Sequence, residues 1–459
     1  MKKLVIFLVL FVGFAFLPFL GNKVIQDTID QRLEQLHSDG LDIKLVKEEK
    51  RYLDTKLIYN IKVLDKKKFI DFLQQFSSKQ LPPYTKNLID GVELGVVVKY
   101  PNIPLSDKID LDIYPTKLPD ELRQKVAQND EKLLKKIDTI IQEKKVLYHI
   151  NYAVTSGEFS GYMKDFDETF EEFHGNKIAI AYSDIVAHGK GFLLAPESLK
   201  VSVGKINASV DAKEGGFELE LTKLFSSSNF ETDTTYITSL NLMSGKLKAR
   251  DNKGKIIINT TLNGLGVNFS SNTQNKDAEL FAKGVIEKFS FVNMQGDYKG
   301  ENLQYDIQVD GLDKKSYIKL KDIVEKIQFS QEEQQQGQIY EEILSILKNG
   351  FDLKIAKFSL QNFIDAKVGN VGGFDLNLLL HVNKDQNILQ KLQRNPKLIA
   401  KNFTLHSDLK FDKSFYNYLH SLYNIDQKLA PYKKEQMDQI LFDIDYIDQE
   451  LYINKQKVQ

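Results

Sequence analysis

Apolar and polar residues alternate along most of this chain, and a period of two restricts it to strands with one buried and one wet face. The pattern starts at Leu41, Ile43 and Leu45, set against Asp42 and Lys44, and returns at Leu57, Tyr59, Ile61 and Val63. It continues through Val201, Val203, Ile206, Ala208 and Val210, then Phe217, Leu219 and Leu221, then Leu265, Val267 and Phe269, then Leu303, Tyr305, Ile307 and Val309. Later runs are Phe351, Leu353 and Ile355; Phe374, Leu376, Leu378 and Leu380; Leu409 and Phe411; Ile444 and Tyr446; and Leu451 and Ile453. Turn signals lie between them: Gly215-Gly216, Asp251-Asn252-Lys253-Gly254, Asn263-Gly264, Asp310-Gly311, Gly369-Asn370 and Gly372-Gly373. Strands at hairpin spacing predict an antiparallel meander rather than βαβ units.

Helical spacing interrupts the meander in a few places. Val24, Ile25, Ile29, Leu33 and Leu36 predict a helix over Lys23 to Ser38, continuing outward as a stalk. Leu118 to Lys144 opens with Pro119, Asp120 and Glu121, which suit a first turn, and carries one apolar stripe from Leu122 to Ile141. Ser316 to Asn349 reads as a long helix, or a pair broken near Gly337, and contains the glutamine-rich tract from Gln331 to Gln338. Asp385 to Lys401 and Lys413 to Ile440 read as helical, interrupted at Pro396 and Pro431.

The N-terminus sets the expected location. Met1-Lys2-Lys3 precedes an uncharged stretch from Leu4 to Gly21. At about 1.5 Å per residue it reaches roughly 27 Å, close to the hydrocarbon core of a bilayer. Two leading lysines favour the cytoplasm, which places the remainder outside. Phe16-Leu17-Pro18-Phe19-Leu20-Gly21 is a poor cleavage site, so a retained signal anchor is expected. The fold class that follows is β-rich α+β: an N-terminal transmembrane helix, then an extended antiparallel meander or layered sheet with a few long helices packed on it. The segments are an anchor at 1–22, a juxtamembrane helix at 23–40, a β-rich exported region at 41–315 with a helix near 118–144, and a helix-containing C-terminal β region at 316–459.

The chain has no cysteine, which excludes disulfides, cysteine-ligated zinc, iron–sulfur clusters, a cysteine nucleophile and a lipobox. Lys+Arg (62) and Asp+Glu (63) nearly cancel, so no basic field draws nucleic acid. There is no nucleophile elbow, Walker loop, dinucleotide fingerprint or H-E-x-x-H helix. His188-Gly189-Lys190-Gly191 reads as a hairpin turn. The acidic run from Asp165 to His174 is the best metal candidate, since carboxylates suit calcium. It lacks the spacing of a calcium loop, and Phe166, Phe170 and Phe173 recur as in a helical turn with an acidic outer face. His37, His149, His174, His188, His381, His406 and His420 are scattered, with no metal-binding spacing. His381 and His406 fall within strands as surface or capped residues. The sequence therefore assigns no catalytic, cofactor-binding or metal-ligating residue.

A lysine-led anchor, a post-membrane helix, a long polar β-region, a late glutamine-bearing helix and a final Tyr446-Ile-Asp-Gln-Glu-Leu451-Tyr-Ile453-Asn454-Lys-Gln456 resemble the YdgA-like family of bacterial envelope proteins, the domain of unknown function 945. In place of that family's histidine–glycine–proline motif stands Leu94-Gly95-Val-Val-Val-Lys99-Tyr100-Pro101, without the histidine, as in a divergent member. The resemblance implies location and shape rather than a reaction. In build the chain is also similar to AsmA/TamB-type proteins, whose β-grooves carry lipid, an analogy of fold alone.

The expectation is a single-pass protein of the bacterial inner membrane with its bulk in the periplasm, acting as a non-enzymatic binding or scaffold protein for lipid or other envelope proteins. Lipid binding along a β-groove is one alternative, and a hydrolase with an unrecognised site is another. The oligomeric state is left open.

Overall fold

The computed structural model describes residues 22–75, 91–104, 106–129, 131–171, 176–193, 195–327, 334–394, 400–423, 425 and 429–458. The apolar stretch from Leu4 to Gly21 lies outside them. No helix among the described residues is long and apolar enough to cross a membrane. The chain forms two compact units, divided after Gly204. The β-rich expectation holds, and the strand pairings among the described residues are antiparallel.

The N-terminal unit opens with α1 (Lys23–Ser38), then β1 (Leu41–Lys50), β2 (Asp54–Val63), α2 (Lys66–Gln75), β3 (Glu93–Pro101) and β4 (Lys108–Lys117). A helical hairpin follows, α3 (Asp120–Asn129) and α4 (Glu131–Gln142), then β5 (Tyr148–Ala153), β6 (Glu158–Met163), β7 (Phe166–Glu171), β8 (Lys177–Ser183) and β9 (Ile185–Phe192); the division after Gly204 falls inside β10 (Ala195–Ala212). Strands β1 to β6 pair in sequence, and β6 skips the β7–β8 hairpin to pair with β9.

The expected stalk is a packed element. Ile25 (0% exposed) and Ile29 lie in a core with Leu57, Tyr59, Val98, Tyr100 and Ile109. Asn22 caps α1 through Oδ1, which accepts from the Ile25 N–H at 3.3 Å, and its Nδ2 reaches the carbonyls of Pro101, Ile103 and Ser106. The helix start is thus fastened to the end of β3.

The C-terminal unit contains β11 (Gly215–Phe230), β12 (Tyr236–Asp251), β13 (Ile256–Asn272), β14 (Asp277–Asn293) and β15 (Asp297–Asp313). Helices α5 (Lys314–Ile327) and α6 (Gln334–Asn349) precede β16 (Phe351–Asp365) and β17 (Gly369–Val382). Then come α7 (Ile388–Arg394), β18 (Phe403–Asp412), α8 (Lys413–Tyr423), β19 (Lys434–Gln436), β20 (Gln439–Ile447), β21 (Glu450–Ile453) and β22 (Gln456–Lys457). Strands β11 to β18 pair in order, β18 pairs with β20, and β20 with β21. With 17 residues, β13, β14 and β15 each run about 55 Å.

Several expectations are corrected. The single helix over Leu118 to Lys144 is the α3–α4 hairpin, tied by Arg123 Nη2 to Asp138 Oδ2 at 2.9 Å. Folding back lets Leu133, Ile137 and Ile140 of α4 meet Phe166. Ser316 to Asn349 holds two described helices, α5 and α6, as in the pair reading, but Gly337 lies inside α6; residues 328–333 lie outside the described residues. Of Asp385 to Lys401, only Ile388–Arg394 is described as α-helix, and Pro396 lies outside the described residues. Of Lys413 to Ile440, the described helix is α8 (Lys413–Tyr423); Ala430–Tyr432 form a 3-10 turn, and β19 and the start of β20 follow, because Ile440, Phe442 and Ile444 continue the period of two.

Glycine serves this sheet by admitting rings. Gly95 faces Tyr114, Gly189 faces Phe159, Gly284 faces Tyr305 and Gly300 faces Phe289 across strand pairs. In each case an added Cβ would stand within 2.5 Å of the ring. The aromatic lies over bare backbone, replacing contacts the glycine does not make. The terminal tyrosine–leucine–asparagine segment has a related role. Asn454 donates to the carbonyls of Tyr432 (2.6 Å) and Leu441 (2.9 Å) and accepts from the Asp443 N–H at 2.9 Å. One amide side chain thereby joins β20, β21 and the segment before β19.

Candidate functional site

The long strands of the C-terminal unit carry an unusual apolar side. One rung runs through Ser226, Leu240, Val267, Gly284, Tyr305, Phe358, Leu376, Leu409 and Phe442, each directly opposite the next. A parallel rung runs through Leu224, Leu242, Leu265, Ile286 and Leu303. The next rung along is Leu221, Gly245, Leu262, Phe289, Gly300 and Phe363. The step between these last two is three residues, which in a regular strand would move the apolar set to the other face. It does not. Lys223, Gly264 and Asn302 adopt positive φ (53°, 64° and 52°) in alternate strands along this step. Leu221 and Leu242 both come within 3.4 Å of where a Cβ on Gly245 would be, and Phe363 and Phe374, from the two halves, both pack on Phe415 of α8. The left-handed row resets the pleat, so both halves present apolar residues to one side. Asn263-Gly264, expected as a hairpin turn, is part of this row inside β13.

Helices cover only parts of that side. Ala278, Leu312 and Ile346 close a core where α5 and α6 meet β14 and β15. Tyr416, Ile440, Phe442 and Ile453 close another under α8. Between Lys205 and Asp277, spanning β11 to β13, no hydrophobic residue is buried; the buried residues there are Ser228, Thr235, Gly245, Ser271 and Thr273. Phe217, Ile258 and Phe291 are 39%, 36% and 37% exposed. On the opposite side, behind the Leu221 rung, Arg250 bonds Glu218 at 2.7 Å and Lys246 lies 3.5 Å from Glu220, while Phe225 and Ile237 are exposed farther along.

A second feature concerns the histidines. His149, His381 and His406 each stand directly opposite an aspartate on the adjacent strand: Asp112, Asp352 and Asp445. The Nδ1–Oδ1 distances are 2.7, 2.5 and 2.8 Å. Two residues on stands Asn151, Asn383 or Asp408. The asparagines lie 3.2 and 3.1 Å from Nε2 of His149 and His381. This H-x-N/D spacing is visible in the sequence, but its aspartate partner comes from another strand and needs the register. The expectation of surface or capped residues fits His381 and His406: both are half exposed, and each is held by a carboxylate. The hydrogen bond to Asp352 raises the His381 pKa above the usual imidazole range, against an opposing effect of burial.

A histidine with a raised folded-state pKa contributes stability fully below its unfolded value, about 6.5, and loses it as pH rises through the folded value. The contribution is small because both side chains are half exposed. A proton-NMR titration is expected to place His381 above its ordinary value and Asp352→Asn to return it there. A wild-type midpoint at or below the ordinary value would contradict the pairing.

The acidic run expected as a helical turn is instead β7, paired with β8; Phe166, Glu168 and Phe170 follow the strand period, and 172–175 lie outside the described residues. Among the described residues it gathers no set of metal-ligating groups. His188-Gly189-Lys190-Gly191 is not a turn but the interior of β9, where His188 sits between Ser160 and Lys200.

A family model described as a bacterial protein of unknown function (DUF945) matches residues 152–445. The chain belongs to the DUF945 family. The match starts at β5 and ends in β20, so it takes in the whole apolar side of this DUF945 chain and the His381 and His406 pairs. No curated protein and no solved structure matches the chain.

Proposed function

We propose that this DUF945 protein is a single-pass protein of the bacterial inner membrane whose periplasmic bulk binds the acyl chains of lipids along the apolar side of β11 to β15, without catalysing a reaction. One observation carries the reading: three long strands rich in leucine, isoleucine and phenylalanine bury none of them. Contiguous exposed apolar surface beyond a few hundred Å² is rare on soluble monomers and marks binding sites. Each fully covered leucine or phenylalanine is worth roughly 1.5–3 kcal/mol, so an acyl chain lying across several rungs gains substantially. The uncharged stretch from Leu4 to Gly21 supports the membrane location, since it would tether the sheet beside a bilayer.

The test is charge in the open ladder. Leu242→Asp with Leu265→Asp is expected to weaken binding of a fluorescent phospholipid about tenfold or more, as burying an unpaired carboxylate against an acyl chain is strongly unfavourable. Neither leucine is buried, so the melting temperature should change little. Undiminished phospholipid binding by the folded double variant would contradict the reading. A scaffold that binds only proteins is the alternative, and it predicts no phospholipid binding at all.

A further inference from the structure

We propose that the β1–β2 and β3–β4 turns of the N-terminal unit lie in the headgroup layer of a phospholipid bilayer, with Tyr52, Leu53 and Ile103 entering it, so that the unit docks on the membrane instead of hanging from its anchor. This docking presupposes the membrane location proposed above and is independent of acyl-chain binding. Strand register places the two turns at one end of the sheet. Lys50 pairs with Thr55 and Asp54 with Pro101 there, while Leu41 pairs with Val63 at the far end. Asn22 is at the same end as the turns, where its Nδ2 reaches the carbonyls of Pro101, Ile103 and Ser106. Asn102 ties the turns to each other. Its N–H donates to the Leu53 carbonyl at 2.9 Å, its Nδ2 to the Arg51 carbonyl at 2.7 Å, and its Oδ1 accepts from Thr55 Oγ1 at 2.6 Å. Asn22, Thr55 and Asn102 are all buried. Buried polar groups hydrogen-bonded in this way hold the start of α1 and both turns as one braced end.

Two observations set this end against a bilayer. The first is the length of chain before it. Leu4 to Gly21 is uncharged, and at about 27 Å as a helix it is only just long enough for a hydrocarbon core of roughly 30 Å. Gly21 is bonded directly to Asn22, and consecutive Cα atoms are about 3.8 Å apart. With no linker between a spanning stretch and the brace, the turns fixed to Asn22 are held at headgroup depth. The second is what the turns expose. Turns are dominated by glycine, proline, asparagine, aspartate and serine. The β1–β2 turn instead carries Arg51-Tyr52-Leu53, with Tyr52 and Leu53 47% and 56% exposed, and the β3–β4 turn carries Ile103, 41% exposed. Tyrosine suits the headgroup level, where its ring meets acyl carbon and its hydroxyl stays wet. Lys50 and Arg51 beside it are ion-paired with Glu48 and Glu49, so the contact is apolar insertion rather than attraction to anionic lipid.

The chain has no cysteine, so single cysteines can carry a polarity-sensitive fluorophore. Leu53→Cys, Ile103→Cys and Leu64→Cys are each made in the full chain, labelled, and reconstituted into vesicles of phosphatidylcholine, which has no net charge. All three positions are exposed, so the substitutions leave the core intact. Leu64 follows the 10-residue β2 that Leu53 precedes, which sets it roughly 35 Å away along the strand. Emission from Leu53→Cys and Ile103→Cys should shift to the blue and be quenched by nitroxide-labelled phospholipid. Emission from Leu64→Cys should stay as in water and unquenched. Flotation of the vesicles reads the membrane location separately. Chains that float, yet show the Leu53→Cys and Ile103→Cys probes as water-exposed or no more quenched than the Leu64→Cys probe, would overturn the docking and leave the anchor standing. Chains that do not float with the vesicles would overturn both.

Discussion

Phe442→Ala is expected to destabilise the C-terminal unit by about 4 kcal/mol, measured by chemical denaturation followed through tyrosine fluorescence. Phe442 is 2% exposed and lies in the core with Tyr416, Ile440 and Ile453. Its ring packs edge-on against Phe411 and at 5.9 Å from Tyr416, the α8 residue most deeply buried. Truncation opens a cavity that a sheet pinned on both sides by β18 and β21 cannot close by shifting. A variant at Leu242, on a comparable strand but outside any closed core, should cost far less when cut to alanine. That contrast follows directly from where the helices lie. Equal losses at Phe442 and Leu242 would mean that β11 to β13 have a covered core after all.

Ile25→Ala is expected to cost about 3 kcal/mol and to free α1 from the N-terminal sheet. Ile25 is fully buried against β2, β3 and β4, and it lies in the first turn of a helix whose cap, Asn22, is itself 1% exposed. The helix therefore depends on the sheet for its position, since a 16-residue amphipathic helix is marginal alone. Limited proteolysis at Lys23 and Arg32 should accelerate in the variant and remain slow in the wild-type chain. Equal cleavage rates would contradict a docked α1 and restore a free stalk.

The strands were legible in the sequence because alternation is a local signal, and the core of the N-terminal unit follows from it: Leu57 and Tyr59 point inward with Val98 and Tyr100. The strands of the terminal Tyr446 to Gln456 segment follow from the same alternation, whereas the three hydrogen bonds of Asn454 need the fold. What failed did so for identifiable reasons. Asn263-Gly264 and Gly372-Gly373 resemble hairpin turns because positive φ is what they supply, but here it resets a pleat or accommodates a close approach inside a strand. Phe166, Phe170 and Phe173 fit a helical stripe, while Phe166, Glu168 and Phe170 fit a strand, and pairing with β8 decided between them. The candidate sites were less accessible. Each open rung collects one residue from each of many strands, and the pair at His406 joins residues 39 positions apart in sequence at Asp445, so only the register places them together.

The most direct measurement is mass spectrometry of residues 22–459, exported to the envelope and purified without detergent, with the Leu242→Asp and Leu265→Asp double variant beside it. Phospholipid or fatty acid at close to one molecule per chain, lost from the double variant, is the predicted result. A lipid-free wild-type chain, folded and monodisperse, would contradict acyl-chain binding along β11 to β15.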